Sequence, residues 1–274
     1  VRLSLQMPAL VAAWRLTNDR RYADHAASHL RAWFVDRDTL MNPHLLYAQA
    51  IKGRFTGRGI GIIDTLHLVE VARAASVLDA SEAMTPADRA GVRGWFKSYV
   101  TWMTTHKYGI DERNTLNTHA TCWVAQVAEF ARYIDDAPLT AYCRDRYKTV
   151  LLPGQMAADG SFPRELARTQ PYGYTLIHLD AFAIVCQTLS VPGDDLWSYE
   201  LPDGRGMRRA MEFMFPYIAD KARWPYKRDV QYHENWPVRH PSLLFAGLAL
   251  KRRSRWTGRL YRWKHGRLSP CWSA

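Results

Sequence analysis

TPADRAGVRGWFKSYVTWM, residues 85–103, decides the fold class. Thr85 is an N-cap residue, Pro86 stands at the first helical position, where a missing N–H costs nothing, and Asp88 puts an acid in the first turn. Trp95, Phe96, Tyr99, Trp102 and Met103 then follow at helical spacing and form an apolar face. The same period predicts helices at 4–17, 19–35, 64–80, 117–134, 137–150, 175–190, 207–220 and 241–252, while alternating runs bounded by turn residues are almost absent. The chain therefore reads as all-α. Between the helices lie longer segments rich in Gly, Pro and Arg at 36–63, 106–116, 151–174, 191–206 and 221–240. Paired antiparallel helices joined alternately by short and long connections suit an α/α toroid, an incomplete α/α barrel whose long loops collect at one end and build a groove. Residues 1–250 are expected to form that domain and residues 251–274 a basic C-terminal tail.

With 274 residues, 47% of them hydrophobic, the chain can bury a sizeable core. It contains no run of roughly 18 apolar residues that would span a membrane. It opens at Val1 inside a helical pattern, as a mature or truncated form would. Cys122, Cys143, Cys186 and Cys271 show no C-x-x-C spacing, and the first three occupy helical positions like small apolar residues, so neither a zinc ribbon nor a disulfide framework is expected. The formal charge of +11 invites a nucleic-acid reading. However, residues 251–267 hold eight Lys and Arg and no acid, and without them 29 basic residues face 26 acidic ones. The basic character belongs mostly to the tail. No nucleic-acid or membrane partner is expected, and a mildly basic body suits a polyanion.

Several constellations could carry chemistry. In the stretch from Asn114 to Trp123, Asn117 or Thr118 can cap the next helix, and His119 falls in its first turn, off the stripe Ala120, Trp123, Val127, Phe130 and Ile134. His119 shares its other face with Cys122, Gln126 and Glu129 and can look into a cleft. The loop from Asp159 to Tyr174 carries Arg164, Arg168, Tyr172 and Tyr174; arginine pairs with carboxylates in bidentate fashion, and a phenol beside a cation can transfer a proton. The glycine-rich run 53–65 lacks G-x-G-x-x-G spacing, a preceding strand and a P-loop lysine, so it reads as a loop bringing backbone and Arg58 close to a sugar acid, with Asp64 as a helix cap. His25 and His29 stand at i, i+4 without a third ligand; no metal site and no cofactor are expected.

Together these motifs resemble the alginate lyase superfamily. The resemblance rests on Met41-Asn42-Pro43-His44-Leu45-Leu46-Tyr47-Ala48-Gln49-Ala50, Gly57-Arg58-Gly59-Ile60-Gly61-Ile62-Ile63-Asp64-Thr65, the Asn117–His119 segment, and Glu165-Leu166-Ala167-Arg168-Thr169 followed by Tyr174. It covers roughly residues 1–250 and implies an α/α toroid that cleaves a polyuronate of the alginate or glucuronan type by β-elimination, without a cofactor, in the periplasm or outside the cell. It also implies roles: Asn117 and His119 neutralise the substrate carboxylate, Arg168 assists, and Tyr174 is the acid and, for a syn elimination, also the base; His119 is the base for an anti elimination. The expected groove is lined by Tyr47, Gln49, Arg58, Thr118, Tyr172, His178, His233 and Trp236. Where the family pattern commonly reads Asn-Asn-His, this chain reads Asn117-Thr118-His119, which leaves the uronate open. A glycoside hydrolase on a similar toroid, using Glu165 and Asp159, and a non-catalytic polyanion-binding protein are the alternatives.

Overall fold

A computed structural model describes residues 1–237 and 240–250; the expected tail at 251–274 lies outside the described residues. These residues form α1 (Arg2–Thr17), α2 (Arg20–Phe34), α3 (Leu68–Leu78), α4 (Pro86–Thr105), α5 (Lys107–Arg113), α6 (Thr118–Tyr133), α7 (Ala137–Arg146), the short turns α8 (Leu152–Gln155) and α9 (Pro163–Leu166), α10 (Pro171–Leu189), α11 (Met207–Ala219) and α12 (Pro241–Ala249). Strand pairing is limited, among the described residues, to isolated β-bridges. Contacts divide the chain into two compact units. The first comprises Val1–Thr115 and Cys122–Asp145, and the second Leu116–Thr121 and the chain from Arg146.

In the first unit the predicted cap of α4 is closed in both directions: Asp88 N–H donates to Thr85 Oγ1 at 3.1 Å, and Thr85 N–H donates to Asp88 Oδ2 at 3.0 Å. Arg31 of α2 adds two hydrogen bonds of 3.0 Å to the same carboxylate, so the cap also ties α2 to α4. The aromatic face of α4 then packs inward. Phe34 meets Trp95 edge-on at 4.7 Å between centroids, and Phe96 lies 5.0 Å from Phe130 and 5.4 Å from Tyr133.

α6, buried from Ala120 to Ala131, departs from the expected stripe. Cys122, Gln126 and Glu129, read as an open face, are as buried as Trp123, Val127 and Phe130. Their polar atoms are matched rather than solvated: Gln126 accepts from the Thr65 hydroxyl (2.8 Å) and donates to the Ile62 carbonyl (3.1 Å), and Glu129 takes hydrogen bonds from Arg73 and Arg132. Partners from distant segments let polar residues occupy a core position, which periodicity within α6 cannot reveal.

Other boundaries shift for local reasons. Residues 106–116, expected as a loop, contain α5, whose first turn is capped by His106 Nδ1 accepting from Tyr108 N–H at 3.1 Å. Asp64 does not cap α3; it ends up in a 3-10 turn (Gly59–Thr65), and its carboxylate accepts from Gln49. In the second unit α10 begins at Pro171, four residues before the expected start. Its first turn is capped from far along the chain: Asp229 accepts from the N–H groups of Tyr172 (2.8 Å) and Gly173 (2.9 Å). α10 packs against α9, α11 and α12.

Candidate active site

The second unit holds most of the candidate residues, and several of them meet around the start of α6. Asn117 is the N-cap: its Oδ1 accepts from His119 N–H at 3.2 Å. That use of the oxygen turns the Nδ2 donors to the other side of the amide, the polarity needed to meet a carboxylate. Asn117 and His119 are both half-buried and border solvent. Thr118, between them, faces the opposite way. It is 3% exposed, its N–H donates to Glu165 Oε1 at 2.8 Å, and its hydroxyl lies 2.8 Å from His178 Nδ1.

Glu165 links this turn to the loop before α10. Its second oxygen accepts from Arg168 at 3.1 Å, and the Arg168 guanidinium lies 3.6 Å above the centroid of the Tyr174 ring. Arg168 and Tyr174 are half-buried, whereas Glu165 is wholly enclosed. Burial raises the Glu165 carboxyl, but the adjacent His178 ring and the hydrogen bond from Thr118 outweigh it and hold the pKa down to about 2. The carboxyl is thus ionised at neutral pH. The His178 pKa is lowered by its own burial, which Glu165 only partly offsets. The His178 ring stacks on Phe162 at 4.1 Å and meets Phe182 edge-on, with Nε2 unpartnered among the described residues.

Three expected groove residues therefore occupy other positions. Thr118, His178 and Tyr172 are all buried; they support the surface from behind and cannot line it. Tyr172 packs edge-on against Trp224 and His233, and its hydroxyl donates to the Tyr217 carbonyl at 3.3 Å. His233 and Trp236 remain half-buried beside it. Trp236 Nε1 donates to Asp229 at 3.0 Å, and its ring lies so close to Gly173 that a Cβ there would come within 2.3 Å of a ring carbon. Asp229 therefore holds both the start of α10 and Trp236. It was invisible in the sequence, since nothing near it signals a helix some 55 residues away.

The first unit holds the remaining three residues. Tyr47 is 71% exposed. Arg58 donates to the Gln49 carbonyl at 3.0 Å and to Gln49 Oε1 at 3.3 Å, while Gln49 Nε2 reaches Asp64 at 3.1 Å. Both ends of the Gln49 amide are engaged, so Gln49 orients Arg58. The glycines of this run serve packing: a Cβ at Gly57 would strike the Leu46 carbonyl at 1.8 Å. Phe55, Arg58, Ile60 and Tyr108 line a cavity of about 330 Å³ in this unit. His25 and His29 stack at 4.8 Å, and no cluster of three potential metal-ligating side chains occurs among the described residues.

The sequence pattern of the family described as alginate lyase matches residues 1–224. A search of curated proteins finds no match. Among solved structures, an alginate lyase from Bacteroides ovatus superposes with a TM-score of 0.85 at 29% identity, over 98% of this chain and 70% of that one. An alginate lyase A1-III histidine-to-alanine variant, complexed with a tetrasaccharide, superposes with a TM-score of 0.60 at 18% identity, over 85% of this chain and 67% of that one, a likeness of fold alone. These likenesses carry the all-α toroid class read from the sequence.

Proposed function

The chain belongs to the alginate lyase family and is a polysaccharide lyase; from that premise we propose that it cleaves a polyuronate at the site formed by Asn117, His119, Arg168 and Tyr174. The observation that carries this reading is the pairing of Arg168 with Tyr174 at 3.6 Å, joined through Glu165 to the turn that bears Asn117 and His119. β-Elimination needs these groups. The proton at C5 becomes removable when the adjacent carboxylate is neutralised, and Asn117 Nδ2 and the His119 ring supply the donors, with the helix N-terminus behind them. As the base takes the proton, the C5–H electrons form the C4=C5 double bond, the C4–O4 bond breaks, and O4 takes a proton from Tyr174. Tyr174 also serves as base where proton and leaving group share a face of the sugar; His119 is the base where they lie on opposite faces.

His233 and Trp236 are proposed to contact the polymer in the second unit, and Arg58 and Tyr47 to contact it in the first. The acidic nature of the polymer, of the alginate or glucuronan type, and action in the periplasm or outside the cell belong to the same proposal. A hydrolase reading is disfavoured by Glu165, because a carboxyl held at about 2 and enclosed by three partners cannot act as a general acid. The test is turnover of alginate and of glucuronan by wild type, Tyr174→Phe and His119→Ala. Loss of turnover in both variants with folding preserved supports the assignment, and full activity in either refutes that residue's role.

A further inference from the structure

One peptide group at the start of α6 is gripped from both sides by buried side chains. The Asn117 carbonyl accepts from Gln155 Nε2 at 2.8 Å, and the N–H of Thr118, the other half of the same peptide, donates to Glu165 Oε1 at 2.8 Å. We infer that Gln155 and Glu165 form a positioning clamp on the Asn117–Thr118 peptide, which sets the direction in which Asn117 and His119 meet the substrate carboxylate. The inference rests on the lyase reading above, because it takes Asn117 and His119 as the carboxylate-binding groups.

Helix formation alone does not require the clamp. The first N–H groups of a helix are ordinarily left to water or to the N-cap side chain, and Asn117 already provides that cap. Enclosing an ionised carboxylate to receive one more N–H is a costly addition unless the orientation of the peptide matters. Each jaw is itself braced. Gln155 Oε1 accepts from the Thr121 hydroxyl at 2.7 Å, one turn further along α6. Glu165 is held by Arg168, and His178 Nδ1 lies 3.6 Å from its Oε1 and 2.8 Å from the Thr118 hydroxyl. Rocking the peptide would therefore break hydrogen bonds on two sides at once. Both jaws are buried, Gln155 at 6% and Glu165 at 0% exposure, so neither reaches a polymer on the surface and both act through the residues they hold. Glu165 also fixes Arg168 over Tyr174, so one carboxylate sets the spacing between the carboxylate-binding turn and the proton donor.

The test compares Glu165→Gln, Gln155→Met and the double variant with wild type in the full chain, by steady-state kinetics on the polyuronate that the wild type cleaves and by amide hydrogen exchange. Each single variant is expected to lower kcat roughly 10–100-fold with KM changed less than about 3-fold, because displaced donors fail mainly against the charge of the transition state. The double variant is expected to lose less than the product of the two, since both jaws hold one peptide. Exchange at residues 117–121 should rise while Pro86–Thr105 stays protected. Should Glu165→Gln fail to fold, Gln155→Met carries both readouts alone. Local loosening with unchanged kcat, or a fall in kcat matched by loss of protection throughout the chain, overturns the clamp. If the wild type cleaves no polyuronate, the lyase reading fails on its own, and the exchange pattern still decides whether the peptide is held.

Discussion

Replacing Glu165 by Gln should remove a specific part of the acid sensitivity of the fold. A carboxyl whose pKa falls from 4.5 in the unfolded chain to about 2 in the folded one favours folding by about 3 kcal/mol at neutral pH. The folded value is the depressed one, so this contribution is complete above about pH 5 and is lost as the pH falls through about 4.5 toward 2. Enclosure of the carboxylate between Thr118, Arg168 and His178 limits screening by salt, so the effect should persist in denaturant solutions. Urea unfolding of wild type and Glu165→Gln from pH 7 to pH 3 reads it directly. Every other carboxylate is common to both proteins and cancels in the difference. The stability gap should be largest near neutrality and should shrink by about 2 kcal/mol between pH 6 and pH 3. A gap that stays constant with pH would falsify the reasoning, because it would mean that the carboxylate gains nothing from its buried partners.

Three further outcomes follow from the packing. Gly173→Ala puts a methyl group within 2.3 Å of the Trp236 ring, so it should expel the indole, cost about 1–3 kcal/mol in thermal unfolding, and raise KM for the polymer more than it lowers kcat. Thr118→Val keeps shape but removes the hydroxyl facing His178 Nδ1; a stability loss of about 1–3 kcal/mol is expected, with Thr118→Ser close to wild type, and equal stability of all three would show that the hydroxyl faces elsewhere. Tyr174→Phe should lower kcat roughly 10²–10⁴-fold with little change in KM, as removal of a proton donor does, and a mere rise in KM would reduce Tyr174 to a binding residue.

What the sequence made legible were features coded within one or two turns. The Thr85–Asp88 cap and the apolar face of α4 are local and occupy their predicted positions, and of the two caps the sequence allowed for α6, Asn117 and Thr118, Asn117 takes the role. Features that depend on a partner far along the chain were not legible. α10 starts early because Asp229 caps it, and α6 is polar on a buried face because Arg73 and Thr65 come to meet it. For the same reason Thr118 and His178 looked like surface donors when read alone, although they bond to each other beneath the surface. Glu165 did leave a trace, since it stands at i, i+3 to Arg168, but that spacing speaks only of an ion pair and is silent on the peptide held at its other oxygen.

The most direct test of elimination at this site is the chemistry of the products. Wild-type protein is incubated with alginate and with glucuronan, and the oligosaccharides are followed by ultraviolet absorbance and weighed by mass spectrometry. β-Elimination predicts absorbing products with a C4=C5 double bond, each lighter by one water than the corresponding hydrolysis product, and their absence with Tyr174→Phe. Shortened chains with no absorbance and the full mass of hydrolysis, or no shortening of either polymer, would contradict the account.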